Sequence, residues 1–222
     1  MKADVRLMVT ADGSHTALSK PFDTTYHSRF GAFQESERVF IELGLQAAFD
    51  RFPQDELTIF EMGFGTGLNA LLTAREAEKA RRRVRYTALE AYPMQPADAA
   101  PLNYDALLGT DYLTKLHQSA WNEACPVSPF MTLTKVDQRL QDFSTSEQFH
   151  LIYYDAFAPS TQPELWELPI FEKLAHLLLP SGILTTYCSK SYVQRNLRAA
   201  GLVVDKQPGP ARKREVLRAV KP

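Results

Sequence analysis

The residues most able to do chemistry stand in one stretch, Leu57-Thr-Ile-Phe-Glu-Met-Gly-Phe-Gly-Thr-Gly-Leu68, where Glu61, Gly63, Phe64, Gly65 and Gly67 follow or close an apolar run. Glycines at this spacing let a chain turn sharply from strand to helix, bring bare backbone against a ligand, and aim the free N–H groups of the new helix at it. The place of the third glycine decides which ligand. A dinucleotide fingerprint needs G-x-G-x-x-G to cradle a pyrophosphate, whereas here Leu68 follows Gly67 and the motif is G-x-G-x-G, with Glu61 two residues ahead of it. Adenosylmethionine has no pyrophosphate; it presents an ammonium, a carboxylate and a sulfonium, and Glu61 suits the cationic part. Glu90 closes the next apolar run, Tyr86-Thr-Ala-Leu-Glu90, where a carboxylate can accept two hydrogen bonds from ribose hydroxyls. Asp137, at the end of Thr134-Lys-Val-Asp137, is a candidate for the adenine amino group, with a solvated loop aspartate as the equal alternative. The plain alternative for the whole set is a tight turn with carboxylates capping strand ends in water.

A second centre follows Phe149-His-Leu-Ile-Tyr-Tyr-Asp155, whose apolar run delivers Asp155 to the same sheet edge as the glycines, with Phe157 and Pro159 directly behind it. A carboxylate walled by aromatic and proline surfaces suits an amine acceptor: the oxygen aims the nitrogen lone pair while the walls place the acceptor and exclude water. Asp155 either binds an ammonium and then takes its proton, or only orients an amine that has already lost one. A strand-end cap is the competing role. Trp166 and Trp121 read as core or lid packing rather than base-stacking platforms.

The elements that must position these residues form an α/β pattern. After Pro53, β-rich segments at 57–62, 84–90, 130–135, 149–154, 182–187, 202–206 and 214–220 alternate with helical periodicity, which predicts βαβ units in a mostly parallel seven-stranded, Rossmann-like sheet. The last two strands make a hairpin turning at Pro208-Gly209-Pro210. Ahead of the sheet, segments 5–10 and 15–18 around Asp12-Gly13 predict a β-hairpin, an aromatic-rich loop follows, and Val39, Phe40, Leu43, Leu45 and Ala48 predict a helix from Phe33 to about Phe49. At 222 residues, with 45% hydrophobic, the chain supports one core: a single domain over 1–222, with 1–53 as an extension, 54–222 as the core and an insertion around 92–128.

A net charge of −1 announces no global field for nucleic acid, yet two basic clusters are present. Arg81-Arg-Arg83 with Arg85 reads as a solvated helix terminus, and Arg212-Lys213-Arg214 with Arg218 as an RNA contact. Cys125 and Cys188 lack metal or disulfide spacing, and no apolar run has signal or membrane length, so the expectation is a cytoplasmic protein with no metal and no membrane partner.

Gly63-Phe-Gly-Thr-Gly-Leu-Asn69, Asp155-Ala-Phe-Ala-Pro159, Gln162-Pro-Glu-Leu-Trp166, Gly209-Pro-Ala-Arg-Lys-Arg-Glu215 and the N-terminal Ser28 to Ser36 segment resemble the methyltransferase domain of the tRNA 5-methylaminomethyl-2-thiouridine biosynthesis family (MnmC) and its stand-alone form (MnmD). The likeness covers nearly the whole chain. It implies adenosylmethionine as cofactor, with Asn69 beside the glycines, and methylation of the primary amine of 5-aminomethyluridine, or its 2-thio form, in the wobble-uridine anticodons of tRNA. It also places Gln34, Glu35, Phe157, Pro159, Arg212, Lys213 and Arg214 on the substrate side. No second glycine fingerprint for a flavin occurs before the last residue, Pro222, so methyl transfer alone is expected, and Ala211 stands where the family often has a second small or glycine residue. An amine methyltransferase or aminopropyltransferase acting on a small polyamine, and a non-catalytic adenosylmethionine-binding module, remain as alternatives.

Overall fold

Gly13, at φ +82°, turns the first two strands of a small antiparallel sheet, β1 (Leu7–Val9) and β2 (His15–Ser19), to which a third, β3 (Thr24–Thr25), is added. This computed structural model describes residues 6–19, 21–53, 56–210 and 213–222. The expected N-terminal helix runs as α1 (Ala32–Ser36), a π-helical stretch Glu37–Gln46 and α2 (Ala47–Arg51). Gly44 lets it lie close on the main sheet, since a Cβ there would stand 3.1 Å from the Tyr153 ring and 3.3 Å from the Thr185 hydroxyl.

The core proceeds through β4 (Glu56–Met62), α3 (Leu68–Ala80) and β5 (Arg83–Glu90), and then enters the insertion. There, three short helices, α4 (Pro96–Ala99), α5 (Tyr104–Leu108) and α6 (Leu113–Gln118), lead to β6 (Ala124–Ser128) and β7 (Met131–Asp137). Next come β8 (Phe149–Tyr154), a single 3-10 turn Pro163–Trp166, α7 (Leu168–Leu177), β9 (Leu178–Thr186), α8 (Ser191–Ala199), β10 (Val203–Pro208) and β11 (Glu215–Val220).

These strands pair in the order β10-β11-β9-β8-β4-β5-β7-β6. The four central pairings are parallel, and the β11 and β6 pairings are antiparallel. Both faces are apolar, as a parallel sheet covered on both sides requires. Leu57, Ile59, Leu151 and Tyr153 pack with α3 and the N-terminal helix, while Phe60, Met62, Ile152 and Tyr154 pack with α7 and α8.

The Rossmann-like α/β architecture is as expected, but among the described residues the sheet has eight strands, not seven. The extra strand is β6, drawn from the insertion; Pro126 hid it, because proline donates nothing to a ladder, and an edge strand tolerates that on its unpaired side. Strand β9 also begins at Leu178, four residues ahead of the expected 182, with its pairing to β8 shifting register between Phe149 and Leu151. Among the described residues, no helix is long and apolar enough to cross a membrane.

The strand order positions the site. From β4 the chain moves outward to β5 and β7, then returns to lay β8 on the other side of β4, so the crevice opens where the carboxyl ends of β4 and β8 lie side by side. The Asp155 N–H donates to the Met62 carbonyl at 3.0 Å, which locks the two turns together.

Candidate active site

Gly63 leaves β4 at φ +93°, a conformation open to glycine, and a Cβ there would stand 2.7 Å from the backbone oxygen of Asp155. Gly67, at φ +75°, caps α3, and Asn69 sits in that helix's first turn. The Asn69 amide donates to Glu61 Oε1 at 3.0 Å and to Asp155 Oδ2 at 2.9 Å, so one side chain joins the two carboxylates that the sequence singles out. Glu61 is fully buried, and burial above all holds its carboxyl well above the usual range, with the Asn69 bond opposing. Burial pushes Asp155 up to about 7; the bond from Asn69 opposes the rise, Glu35 adds to it and Lys213 lowers it.

Asn69 Oδ1 is buried without a hydrogen-bond partner, and Glu61 Oε2 has none other than the buried Tyr86 hydroxyl beside it. Both can accept, and two acceptors with capacity to spare below a glycine turn fit a group made only of donors, as the ammonium of adenosylmethionine is. Glu90 is already employed: Oε2 accepts the Gly65 N–H and Oε1 the Tyr92 N–H, both at 2.9 Å. The carboxylate keeps acceptor capacity for a ribose hydroxyl. Burial raises the Glu90 carboxyl against backbone hydrogen bonds from Gly65, Tyr92 and Ala91.

Asp155 lines two cavities. The first, on the side of Glu90, is bounded by Gly63, Tyr92, Arg139, Leu140 and Gln162; the second by His27, Glu35, Phe40, Tyr187 and Lys213. Tyr26 and Phe157, with ring centroids 5.3 Å apart, belong to both and form the wall between them. Phe22 packs against Phe157 at 4.9 Å and Tyr92 at 5.0 Å over the first cavity. In the second, Lys213 forms an ion pair with Glu35. Trp166 is core: its indole N–H donates to the Phe157 carbonyl at 2.8 Å and fixes the loop that carries the wall.

The structure brings Glu61, Gly63, Gly65, Asn69, Glu90, Asp155, Phe157, Glu35 and Lys213 together, Glu61, Gly65 and Asn69 without lining either cavity, and the remaining expected residues stand apart. Phe64 is buried away from both cavities, against the His117 ring and the Lys135 ammonium. Asp137 is exposed beyond the first cavity, which takes Arg139, Leu140 and Gln141 from the same loop instead. Gln34 is exposed at a small outer recess beside Pro210, Pro159 is buried in its loop without lining either cavity, and Arg214 points to solvent. Arg212 lies outside the described residues. The first basic cluster is more than a solvated terminus: Arg82 donates to the carbonyls of Phe49 and Phe52 and lies over the Phe49 ring.

Three groups around the glycine turn carried no sequence signal. Thr66 Oγ1 lies 2.7 Å from His27 Nε2 and accepts from the Tyr104 hydroxyl at 3.2 Å, while the Thr66 carbonyl lies 3.0 Å from His117 Nε2. Burial lowers both histidines to about 4, so each is neutral, and His117 must carry its proton on Nε2 because a carbonyl only accepts. The buried Lys135 donates to the His117 carbonyl at 2.8 Å beneath the Trp121 ring. The insertion therefore braces the glycine turn from behind. Only the run of aromatics after β2 pointed to Phe22 and Tyr26. Among the described residues, no three His, Cys, Asp or Glu side chains converge as a metal site.

The family model for S-adenosyl-L-methionine-dependent methyltransferases matches residues 111–222. Over 213 residues the chain is 31% identical to the tRNA 5-methylaminomethyl-2-thiouridine biosynthesis bifunctional protein MnmC of Pseudomonas savastanoi pv. phaseolicola (strain 1448A / Race 6). That alignment takes in 90% of this chain and 32% of the relative, so the chain spans about a third of the relative's length. Among solved structures it is similar to MNMC2 from Aquifex aeolicus, with a TM-score of 0.80 over 99% of this chain and 73% of that one, at 23% identity, a likeness of fold.

Proposed function

The chain belongs to the S-adenosyl-L-methionine-dependent methyltransferase family, and on that premise we propose that it methylates the primary amine of 5-aminomethyluridine, or its 2-thio form, at the wobble position of cytoplasmic tRNA. The observation that carries this reading is the Asn69 amide shared between Glu61 and Asp155, which couples a carboxylate suited to a cofactor ammonium to one that faces an acceptor cavity. The cofactor, when bound, supplies an electrophilic methyl group. Glu61 and Asn69 would hold its ammonium, and Glu90, which fixes the Gly65 turn, would hold its ribose.

Asp155 does the work on the acceptor. Its oxygen not held by Asn69 receives the aminomethyl group from the second cavity, and a carboxyl at about 7 can take the ammonium proton near neutral pH and leave a directed lone pair. An alkylamine is the stronger base, so each unit separating the two groups costs about 1.4 kcal/mol, which alignment against the methyl donor must offset. Tyr26 and Phe157 keep water from the line of transfer.

A small-polyamine acceptor is the second reading, favoured by the two carboxylates of the second cavity, but Glu35 is already paired with Lys213. The deciding experiment supplies labelled adenosylmethionine with tRNA carrying the aminomethyl wobble base, or with a diamine, and follows nucleoside mass and adenosylhomocysteine release. One methyl gained on the wobble nucleoside is expected. Methylated diamine with untouched tRNA moves the assignment to the second reading, and no adenosylhomocysteine with either substrate sinks both.

A further inference from the structure

The second cavity has a feature that amine methylation does not by itself require: it already contains a primary ammonium, that of Lys213. This residue lies in the turn of the last hairpin, where its N–H donates to the Pro210 carbonyl at 2.9 Å. The next residue, Arg214, points to solvent, whereas Lys213 turns inward and is half-buried. Inside, three groups surround its head. Glu35, from the N-terminal helix, is buried and forms the ion pair, with its other oxygen 3.3 Å from the Ser28 N–H that donates to it. The Tyr187 ring lies under the ammonium at 4.3 Å, held in place because its hydroxyl donates to the Ala156 carbonyl at 2.8 Å. Asp155 lines the same cavity, and its carboxyl senses the charge of both Lys213 and Glu35.

A carboxylate, an aromatic face and a second carboxylate around one cavity are what a primary alkylammonium needs from a binding site: a charge partner, a cation–π surface and an acceptor. We propose that Glu35, Tyr187 and Asp155 form an ammonium cage in the acceptor cavity and that Lys213 is its built-in occupant, a plug that the ammonium of the substrate displaces. This rests on the amine reading of the acceptor cavity. A tethered lysine competes intramolecularly with any incoming ammonium, so the cage admits only an acceptor whose remaining contacts help it to compete. The plug thereby acts as a specificity device: stray small amines are excluded, while an aminomethyl group presented on a larger, independently bound substrate is accepted. It also gives Lys213 a role different from that of a phosphate contact, which would leave its ammonium outside.

Methylammonium is the probe, titrated by NMR into the full chain with adenosylhomocysteine present, so the outcome does not depend on tRNA. Lys213→Ala should bind methylammonium about tenfold more tightly than the unmodified chain, as expected when a competing internal occupant is removed. Glu35→Gln should abolish that binding in both the unmodified and the Lys213→Ala backgrounds, with adenosylhomocysteine affinity unchanged throughout. Should Glu35→Gln fail to fold, Tyr187→Leu in the Lys213→Ala background tests the aromatic face, with binding expected to weaken several-fold. The proposal is overturned if Lys213→Ala binds methylammonium no more tightly, whether or not it weakens tRNA binding, or if the Lys213→Ala/Glu35→Gln double variant binds it as well as Lys213→Ala alone. Failure of the tRNA reading would appear separately, as unmethylated tRNA beside an intact methylammonium response.

Discussion

On the side proposed for the cofactor, Glu61, the three glycines and Asn69 come from one strand, one turn and the first turn of one helix. On the side proposed for the acceptor, Tyr26, Glu35, Asp155, Tyr187 and Lys213 come from the loop after the small sheet, the N-terminal helix, the turn after β8, the end of β9 and the last hairpin. The two halves meet at Asp155, yet they are built differently. The first is shaped by backbone, with positive φ at Gly63, Gly65 and Gly67 and with N–H groups tied to Glu90; the second is shaped by side chains whose charges balance one another. The backbone turn should break when a methyl group is added to one of its glycines, whereas the acceptor half should respond chiefly to loss of side-chain charge.

Gly63→Ala is the harshest test of that contrast. The new Cβ meets the Asp155 backbone at 2.7 Å, and alanine at φ +93° is itself unfavourable by about 1 to 2 kcal/mol, so the turn must open and carry Asp155 with it. Turnover should fall by about 1000-fold or more, combining lost cofactor binding with a misplaced acceptor group. Gly65→Ala carries a similar positive-φ strain at φ +50° but should be milder, because its Cβ meets the Tyr26 ring, at 3.0 Å, and not backbone. Calorimetric cofactor affinities and single-turnover rates for the two variants check the ranking; equal losses would mean that the Gly63–Asp155 contact does not join the halves.

Asp155→Asn probes the other half. Shape and one acceptor oxygen remain while the charge and the proton site are lost, so turnover should drop by about 100-fold with cofactor affinity held within a few-fold. A variant as fast as the unmodified chain across a pH series would reduce Asp155 to a strand-end cap.

The same contrast explains what could be read in the sequence. Strand alternation and turn chemistry act over a few residues, so the sequence places Glu61, the glycines and Asp155 at strand ends, and the structure puts β8 at the expected 149–154. Phe64 is expected beside the cofactor, yet its ring packs on His117: in a turn of positive-φ glycines the two-residue period of a strand no longer tells where a side chain points. Asp137 matched by type and strand position, but exposure depends on the loop beyond it, which turns Leu140 inward in its place. Tyr187, His27 and the Lys135–His117 brace were invisible because their partners are brought together by the fold and lie far apart in the chain. The Glu35–Lys213 pair spans most of the chain length and has no sequence signal: Glu35 is expected only on the substrate side and Lys213 there only as an RNA contact in a basic hairpin.

The smallest expected effect is on stability, and its sign separates a carboxyl strained by its surroundings from one that caps a strand comfortably. Burial raises Asp155 to about 7 in the folded chain, against about 3.9 for an aspartate in an unfolded one. Between these values the folded chain holds the proton more tightly, so this group's contribution is fully present below about pH 4, is lost as pH rises toward 7, and is constant above that. Asparagine cannot ionise and escapes the loss. The Asp155→Asn chain should therefore match the unmodified one near pH 4 and become the more stable of the two as pH rises, by about 1 to 3 kcal/mol at pH 8 once relaxation around a partly open site is discounted from the full shift. For a chain of this size that corresponds to a rise in Tm of roughly 2 to 10 °C. Glu61 and Glu90 are raised by burial in both chains, so their losses largely cancel in the difference. Paired thermal melts from pH 5 to 8 make the measurement. A gap that widens with pH supports a carboxylate held at a cost, as expected of a group that is to exchange a proton with an amine. A gap that stays flat, or one that favours aspartate at pH 8, would mean that Asp155 is content as an anion, and the proton-accepting role would pass to water.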